Sequence, residues 1–309
     1  MKRVAVLKGG WSSEREVSLT TGVGVEKALA ELGYSVYSID VSRDLDKLMA
    51  AIHAAKPDII FNALHGLGGE DGIIQGVLEY IGIPYTHSNV LASALGMDKV
   101  LSRKLFALAG IPVPEYMVVS LEALRNHNPM NFPYVTKPNA DGSTVGISII
   151  RSDADRMQAV NNWAFGEEVL IERYIPGRDL FVPLINGKAI GVIEVKANSG
   201  FYDYEAKYAD NMAAHIINPT DIPPHWHEKA LTYSQQAHHA LKCRGVTRTD
   251  FRYDESTPGG ALYMLEINTQ PGLTPLSLVP EVAAHVGMPY TQLIQTMLES
   301  ATCDNPRKN

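Results

Sequence analysis

The chain has 309 residues, a net charge of −7 and 45% hydrophobic residues, enough apolar material for two or three domains with real cores. Without a basic block it excludes nucleic acid and anionic membrane surfaces as main partners, and no apolar run reaches membrane-spanning length. Cys243 and Cys303 make neither a metal spacing nor a disulfide framework, and the apolar run after Met1-Lys2-Arg3 stops at Gly9-Gly10, too short for a secretion signal, so a cytoplasmic protein is expected.

Val4 to Leu7 reads as a buried strand, followed by a loop over Lys8-Gly9-Gly10-Trp11. Ser13 and Glu16 spell a capping box, which predicts a helix from about Glu14 to Leu32 closed by Gly33. A strand over Tyr34–Ile39, a helix over Leu45–Ala55 and a strand over Ile59–Leu64 continue the alternation, so a parallel sheet flanked by helices is expected. Ligands of such sheets sit beyond the C-terminal strand ends, where Gly9-Gly10 and the loop His65-Gly66-Leu67-Gly68-Gly69-Glu70-Asp71-Gly72 fall. His65 reads equally as a residue with a ligand or loop-bracing role and as a purely structural one, and Glu14 alone as a first-turn carboxylate favoured by the helix dipole. A dinucleotide site with Asp40 as the ribose acid is the competing reading, but Gly9-Gly10 lacks the spaced third glycine.

Ile83-Pro84-Tyr85 suggests another short strand, and Met97 to Ala109 a helix with Leu101, Leu105 and Leu108 on one side. Gly110-Ile111-Pro112-Val113-Pro114 ends it, and a domain change is placed just before this helix. Tyr134 to Lys137 is a strand feeding the small-residue loop Asn139–Gly146, with a second strand through Ile150. Such a loop either donates backbone N–H groups to a polyphosphate beside Lys137 or is a plain turn; it is not a Walker loop. Glu168–Tyr174 is a strand whose Glu172, with Asp179 beyond it, either accepts from an adenine amino group and ribose hydroxyls or faces water.

Asn186-Gly187 joins Leu180–Ile185 to Ala189–Val195 as a hairpin. The aperiodic, aromatic stretch Asn198–Met212 reads as a lid. Trp226–Leu241 is a helix with His238 and His239 on its surface, Pro280–Val286 and Tyr290–Leu298 are closing helices, and the tail from Cys303 frays.

Between these helices, Arg248-Thr249-Asp250-Phe251-Arg252 and Met264-Leu265-Glu266-Ile267-Asn268 alternate on either side of Pro258-Gly259-Gly260. A period of two puts Glu266 and Asn268 on one face and Arg248 with Asp250 on one face of the partner strand, with Asp250 about opposite Glu266. Two carboxylates and an amide oxygen form a hard-oxygen set suited to Mg²⁺ bound with phosphates, the alternative being an edge hairpin with acids in water. After it, Pro271-Gly272 leaves backbone N–H groups for a ligand.

Lys99, Lys137, the Gly142–Gly146 loop, Glu172, Asp250, Glu266 and Asn268 together resemble the ATP-grasp enzymes. Gly9-Gly10 with Glu14-Arg15-Glu16-Val17-Ser18, Leu64-His65-Gly66 with Gly69-Glu70-Asp71-Gly72, Tyr202–Tyr208 and Asn268-Thr269-Gln270-Pro271-Gly272 sharpen that to the D-alanine–D-alanine ligase family, in family order along nearly the whole chain. The resemblance implies a mixed α/β and α+β fold: an N-terminal parallel-sheet substrate domain (1–97), then a two-subdomain ATP-grasp fold (98–184 and 185–309). It implies ATP, D-alanine and Mg²⁺ or Mn²⁺, one ion or two, and a homodimer.

By resemblance, Asp250, Glu266 and Asn268 hold metal. Lys99, Lys137, Ser143, Glu172, Asp179 and Lys207 bind ATP. Glu14 takes the first D-alanine ammonium, with His65 in the same substrate site; Ser143 and Tyr208 brace that subsite; Arg248 and the Gly272 N–H hold the oxyanion; and Ser277 with Leu278 receives the second carboxylate. Asp179 stands where relatives often carry glutamate, and Gln270 and Pro275 also depart from the family pattern. Rival readings are a ligase joining D-alanine to D-lactate or D-serine, against which Tyr208 argues, and a nucleotide-binding protein without catalysis, against which Arg248, Asp250, Glu266 and Asn268 argue.

Overall fold

A computed structural model describes residues 1–140, 146–197 and 213–306. Strand β1 (Arg3–Gly9) pairs in parallel with β2 (Ser35–Val41) and β3 (Ile59–Asn62), in the order β2-β1-β3. Val4, Ala5, Val6 and Leu7 are all fully buried, as a parallel strand covered on both faces requires. One face packs on α1 (Arg15–Glu31), the other on α2 (Leu45–Ala55) and α3 (Ile73–Ile81). The core beside α1 also takes Leu293 and Ile294 from the last helix, Tyr290–Glu299, so the end of the chain completes the first sheet. Each such Leu or Ile is worth about 1.5–3 kcal/mol of burial.

Helices α4 (Val90–Met97) and α5 (Lys99–Leu108) meet at Asp98, whose carboxylate caps α5 by accepting from the Leu101 N–H. Next comes an antiparallel sheet of β4 (Tyr116–Ser120), β5 (Tyr134–Lys137), β6 (Ser148–Ile150) and β7 (Glu168–Arg173), in the order β4-β7-β5-β6. Its inner face packs on α6 (Leu121–Asn126) and α7 (Asp153–Asn161) through Leu124, Tyr134, Val160 and Ile171.

The last sheet contains β8 (Arg178–Ile185), β9 (Lys188–Ala189), β10 (Ile193–Ala197), β11 (Ala213–Ile217), β12 (Val246–Asp254) and β13 (Ala261–Asn268). Its order is β11-β10-β8-β12-β13, with β9 pairing β8. Leu180, Val182, Phe251 and Met264 on one face pack against Phe106 of α5 and Ala230 and Ala237 of α8 (Pro224–Ala240). The other face meets α9 (Leu278–His285), which comes before α10, the terminal helix, and packs through Leu278 and Val282 onto Phe181 and Ile193.

Between β12 and β13 the register slips once. Asp250 opposes Glu266 but Phe251 opposes Met264, so Leu265 is an extra residue in a β-bulge. Leu262 and Met264 are buried before the slip and Ile267 after it. The slip therefore keeps Tyr263, Glu266 and Asn268 on one face, opposite Arg252, Asp250 and Arg248.

Several local expectations give way to tertiary contacts. Ser13 does not cap α1: the N-cap is Glu14 without a side-chain cap bond, and Ser12 accepts the Glu14 N–H while donating to the His65 carbonyl at 2.6 Å. On α5, Leu101 and Leu108 are exposed, and Lys99, Ser102, Arg103 and Phe106 form the buried side. His238 is buried rather than on the surface, with Nδ1 2.9 Å from Thr247 Oγ1, while His239 is exposed. Ile83-Pro84-Tyr85 forms no full strand; Tyr85 makes isolated bridges to Ile60 and Thr302. The tail is held to residue 306 rather than frayed, because the Asp304 and Asn305 N–H groups donate to Glu79 and Arg244 pairs with Asp304. Helices α3, α4, α6 and α7 carried no sequence expectation. No helix among the described residues is long and apolar enough to cross a membrane.

Candidate active site

The loops after β1 and β3 build the first part of the site. Glu14 and His65 are both buried, and His65 Nε2 lies 3.1 Å from Thr21 Oγ1. Burial holds the imidazole below its ordinary pKa, against the pull of Glu14, so His65 is neutral at pH 7. Gly66 has φ +66°, and a Cβ there would lie 2.7 Å from Glu14 Oε2, so only glycine lets the loop approach this carboxylate. Glu70 Oε1 accepts the Gly66 N–H at 2.9 Å. Burial and then the charge of Glu14 push the Glu70 carboxyl up to about 8.

The bulged hairpin faces these loops. Arg248 grips Asp250 in two parallel bonds, Nε to Oδ1 at 2.7 Å and Nη2 to Oδ2 at 2.8 Å, and lies over the Phe181 ring. Asp250 is directly opposite Glu266, and Arg248 directly opposite Asn268. Asn268 Oδ1 accepts the Gln270 N–H at 2.9 Å, which turns the chain back toward the first domain. There the Gln270 amide accepts from Asn62 Nδ2 at 2.9 Å and donates to the Leu64 carbonyl. A single buried side chain thus ties the end of β13 to the end of β3 and the loop after it.

On the other flank, Lys99 Nζ lies 3.5 Å from Glu266 Oε2, and Lys137 Nζ lies 3.0 Å from Glu172 Oε2. Arg103, fully buried on α5, pairs with that same Glu172 oxygen. Burial pulls Lys137 down to about 8, with Glu172 opposing the shift and Arg103 adding to it. Burial would raise Glu172, but Arg103 and Lys137 outweigh it and hold the carboxylate below its ordinary range. Asp179 is paired with Arg252 at 2.7 Å. A carboxylate has about four lone-pair sites, so these pairs leave Glu172 and Asp179 acceptors to spare.

Beyond β13, Gly272 backs onto Ser277: a Cβ on Gly272 would lie 2.8 Å from Ser277 Oγ. Ser277 Oγ accepts the Thr274 N–H at 3.0 Å and sits at the N-terminus of α9. The Leu278 side chain is core, so only its backbone is available to a ligand. Helix N-termini favour carboxylates there.

Glu14, His65, Lys99, Lys137, Glu172, Asp179, Arg248, Asp250, Glu266, Asn268, Gly272, Ser277 and Leu278 are all described; the structure brings together Lys99 with Glu266, Lys137 with Glu172, Arg248 and Asp250 with Asn268 and Glu266, and Gly272 with Ser277. Ser143, Lys207 and Tyr208, with the loop 141–145 and the stretch 198–212, lie outside the described residues. Sequence reasoning gave no role of their own to Arg103, Glu70, Arg252 or Gln270, the last quoted within a motif and noted as a departure. The signal for Arg103 was its spacing, four residues after Lys99 and so on the same helix face.

Two family models match the chain: the D-ala D-ala ligase N-terminus over residues 43–88 and the D-ala D-ala ligase C-terminus over residues 105–299. A D-alanine–D-alanine ligase from Granulibacter bethesdensis is 49% identical over 305 residues, covering 98% of this chain and 99% of that protein. The chain belongs to the D-alanine–D-alanine ligase family. Among solved members of this ligase fold, the ATP complex of the Bacillus anthracis D-alanine–D-alanine ligase superposes with a TM-score of 0.80 at 31% identity, covering 97% of this chain and 96% of that one. A D-Ala:D-Ser ligase from Enterococcus faecalis reaches a TM-score of 0.77 at 26% identity, covering 96% and 98%. The family and the ATP-grasp fold expected from the motifs are therefore those of this chain. Backbone likeness alone does not separate the two ligase specificities, since both neighbours share the architecture.

Proposed function

We infer that this protein joins two molecules of D-alanine, consuming ATP and releasing ADP and phosphate, and that the dipeptide serves peptidoglycan precursors. The observation that carries this reading is the hairpin register. It sets Arg248 and Asp250 against Asn268 and Glu266, with Lys99 beside Glu266 and the His65 loop reached through the bond of Gln270 to the Leu64 carbonyl.

One D-alanine carboxylate attacks the γ-phosphorus of ATP, giving D-alanyl phosphate and ADP. The amine of the second D-alanine, having lost its proton, adds to the acyl carbon, and the tetrahedral intermediate expels phosphate. Both steps build negative charge on oxygen, so positioned cations and N–H donors supply most of the catalysis. Lys99 and Lys137 hold the phosphates; Glu14 takes the first ammonium in a site where buried His65 is neutral; Arg248 and the Gly272 N–H take the oxyanion. Ser277 and the backbone of Leu278 receive the second carboxylate at the α9 N-terminus.

Asp250, Glu266 and Asn268 are hard-oxygen donors on one face of the hairpin, a set that fits Mg²⁺ or Mn²⁺ with phosphate oxygens and water completing the shell. A metal held by Asp250, Glu266 and Asn268 would supply positive charge against the transferring phosphoryl group. Ser143, Lys207 and Tyr208 belong to this reading by family resemblance, as do the division at 98 and 185, a cytoplasmic homodimer, and one ion or two.

The test is phosphate release by the purified protein with ATP, Mg²⁺ and both enantiomers of small amino acids. D-alanyl-D-alanine from D-alanine, with little product from L-alanine, is the expected outcome. Equal coupling to D-lactate at neutral pH, or to D-serine, would move the assignment to the rival ligases. ATP binding without phosphate release would leave a catalytically silent protein.

A further inference from the structure

Arg103 has no role in the reaction as derived so far, yet among the described residues it is the largest side chain buried completely. A buried guanidinium is costly unless its donors are used and its charge is paired. Here the pairing is specific. Nη2 meets Glu172 Oε2, the same oxygen that Lys137 Nζ approaches at 3.0 Å. Nε and Nη2 also donate to the Leu265 carbonyl at 3.3 and 3.2 Å. The guanidinium lies 5.4 Å from the Tyr116 ring centroid, on the edge strand of the central sheet.

Those partners belong to different parts of the cleft. Glu172 lies on β7 of the central sheet, and Leu265 is the extra residue of the bulge that sets the facing of Glu266 and Asn268. Arg103 itself rides on α5, one turn after Lys99, whose ammonium meets Glu266. One planar fork therefore spans the two halves of the ATP-grasp fold from behind. Lysine cannot do the same, because a point charge serves one of these directions at a time.

The charges make the same point. Lys99, Lys137 and Arg103 against Glu172 and Glu266 leave a surplus of positive charge where a triphosphate must enter. Without Arg103, Glu172 would be neutralised by Lys137 alone, and the surplus would vanish.

We propose that Arg103 is a positioning residue for ATP, holding Glu172 and Lys137 on one side of the cleft and the Leu265 bulge that aims Glu266 on the other. This rests on the reading of the cleft as the ATP site. The experiment compares Arg103→Met and Arg103→Lys with the parent, using ATP titration and the pH profile of kcat/KM for ATP, which reports groups of the free enzyme.

In Arg103→Met, ATP binding weakens at least tenfold while the D-alanine KM stays within about twofold. The alkaline limb, set by Lys137 near 8, moves upward because a nearby positive charge has gone. In Arg103→Lys the limb stays put, yet kcat still falls severalfold because the Leu265 carbonyl loses its fork. Parental ATP affinity and an unmoved limb in folded Arg103→Met overturn the proposal. If that variant does not fold, parental kcat and ATP affinity in Arg103→Lys overturn it equally. Lys137→Ala separates the two levels: unchanged ATP binding there refutes the cleft as the nucleotide site, whatever Arg103 does.

Discussion

Glu70 and Glu172 are the same residue type, both buried, on opposite flanks of one site, and they titrate in opposite directions. Burial raises both. Glu70 has a second carboxylate, Glu14, near it and is pushed up to about 8, whereas Glu172 has Arg103 and Lys137 and is held below its ordinary range. The difference teaches that neighbours rather than depth decide the charge of each flank. Beside Glu14 the Glu70 carboxyl therefore keeps its proton up to about pH 8, whereas Arg103 and Lys137 keep Glu172 ionised.

Arg248 is where the contrast breaks most severely, since it bonds Asp250 and is also felt by Glu70. Arg248→Ala is expected to lower kcat/KM by about a thousandfold or more while ATP binding is largely retained, as rapid-quench and nucleotide titration would reveal. Parental activity would remove Arg248 from the mechanism. Glu266→Gln should cost roughly a hundredfold in kcat and raise the Mg²⁺ needed for half activity; an unchanged metal titration would take Glu266 out of the metal set. Glu14→Gln sharpens the other flank: the KM for the first D-alanine should rise about tenfold or more, with ATP affinity as in the parent.

The smallest effect concerns Glu70 and stability. With a carboxyl near 4.5 unfolded and about 8 folded, the folded chain keeps a proton that the unfolded chain has lost between those values. Stability therefore falls as pH rises through that window and levels off above about 8. Glu70→Gln should flatten the decline in urea-unfolding midpoints from pH 5 to pH 8, and an undiminished slope would assign the decline to other groups.

Much of the frame was legible because it is written in local periodicity. The helix Leu45–Ala55 falls on its predicted bounds, and the hairpin sets Asp250 opposite Glu266, as a turn centred near Pro258 predicts. What escaped depends on who becomes a neighbour in three dimensions. Ser12 rather than Ser13 serves the α1 entrance because His65, far away in sequence, offers a carbonyl. Arg103 drew no reading on a helix described only by its leucines, yet Leu101 and Leu108 face water while Arg103 is buried against Glu172 and the Leu265 carbonyl. Glu70 stood inside a quoted motif without a role, since its proximity to Glu14 arises only when the loops after β1 and β3 meet.

The supernumerary Leu265 serves through its backbone rather than its side chain. The side chain can change with little consequence, because the neighbouring helix reads only the carbonyl. Deleting the residue would leave Met264, Glu266 and Asn268 opposite the same partners and on the same faces, but would take away the acceptor that Arg103 holds. A one-codon deletion would thus strand a buried guanidinium that almost any missense change at the same position leaves satisfied.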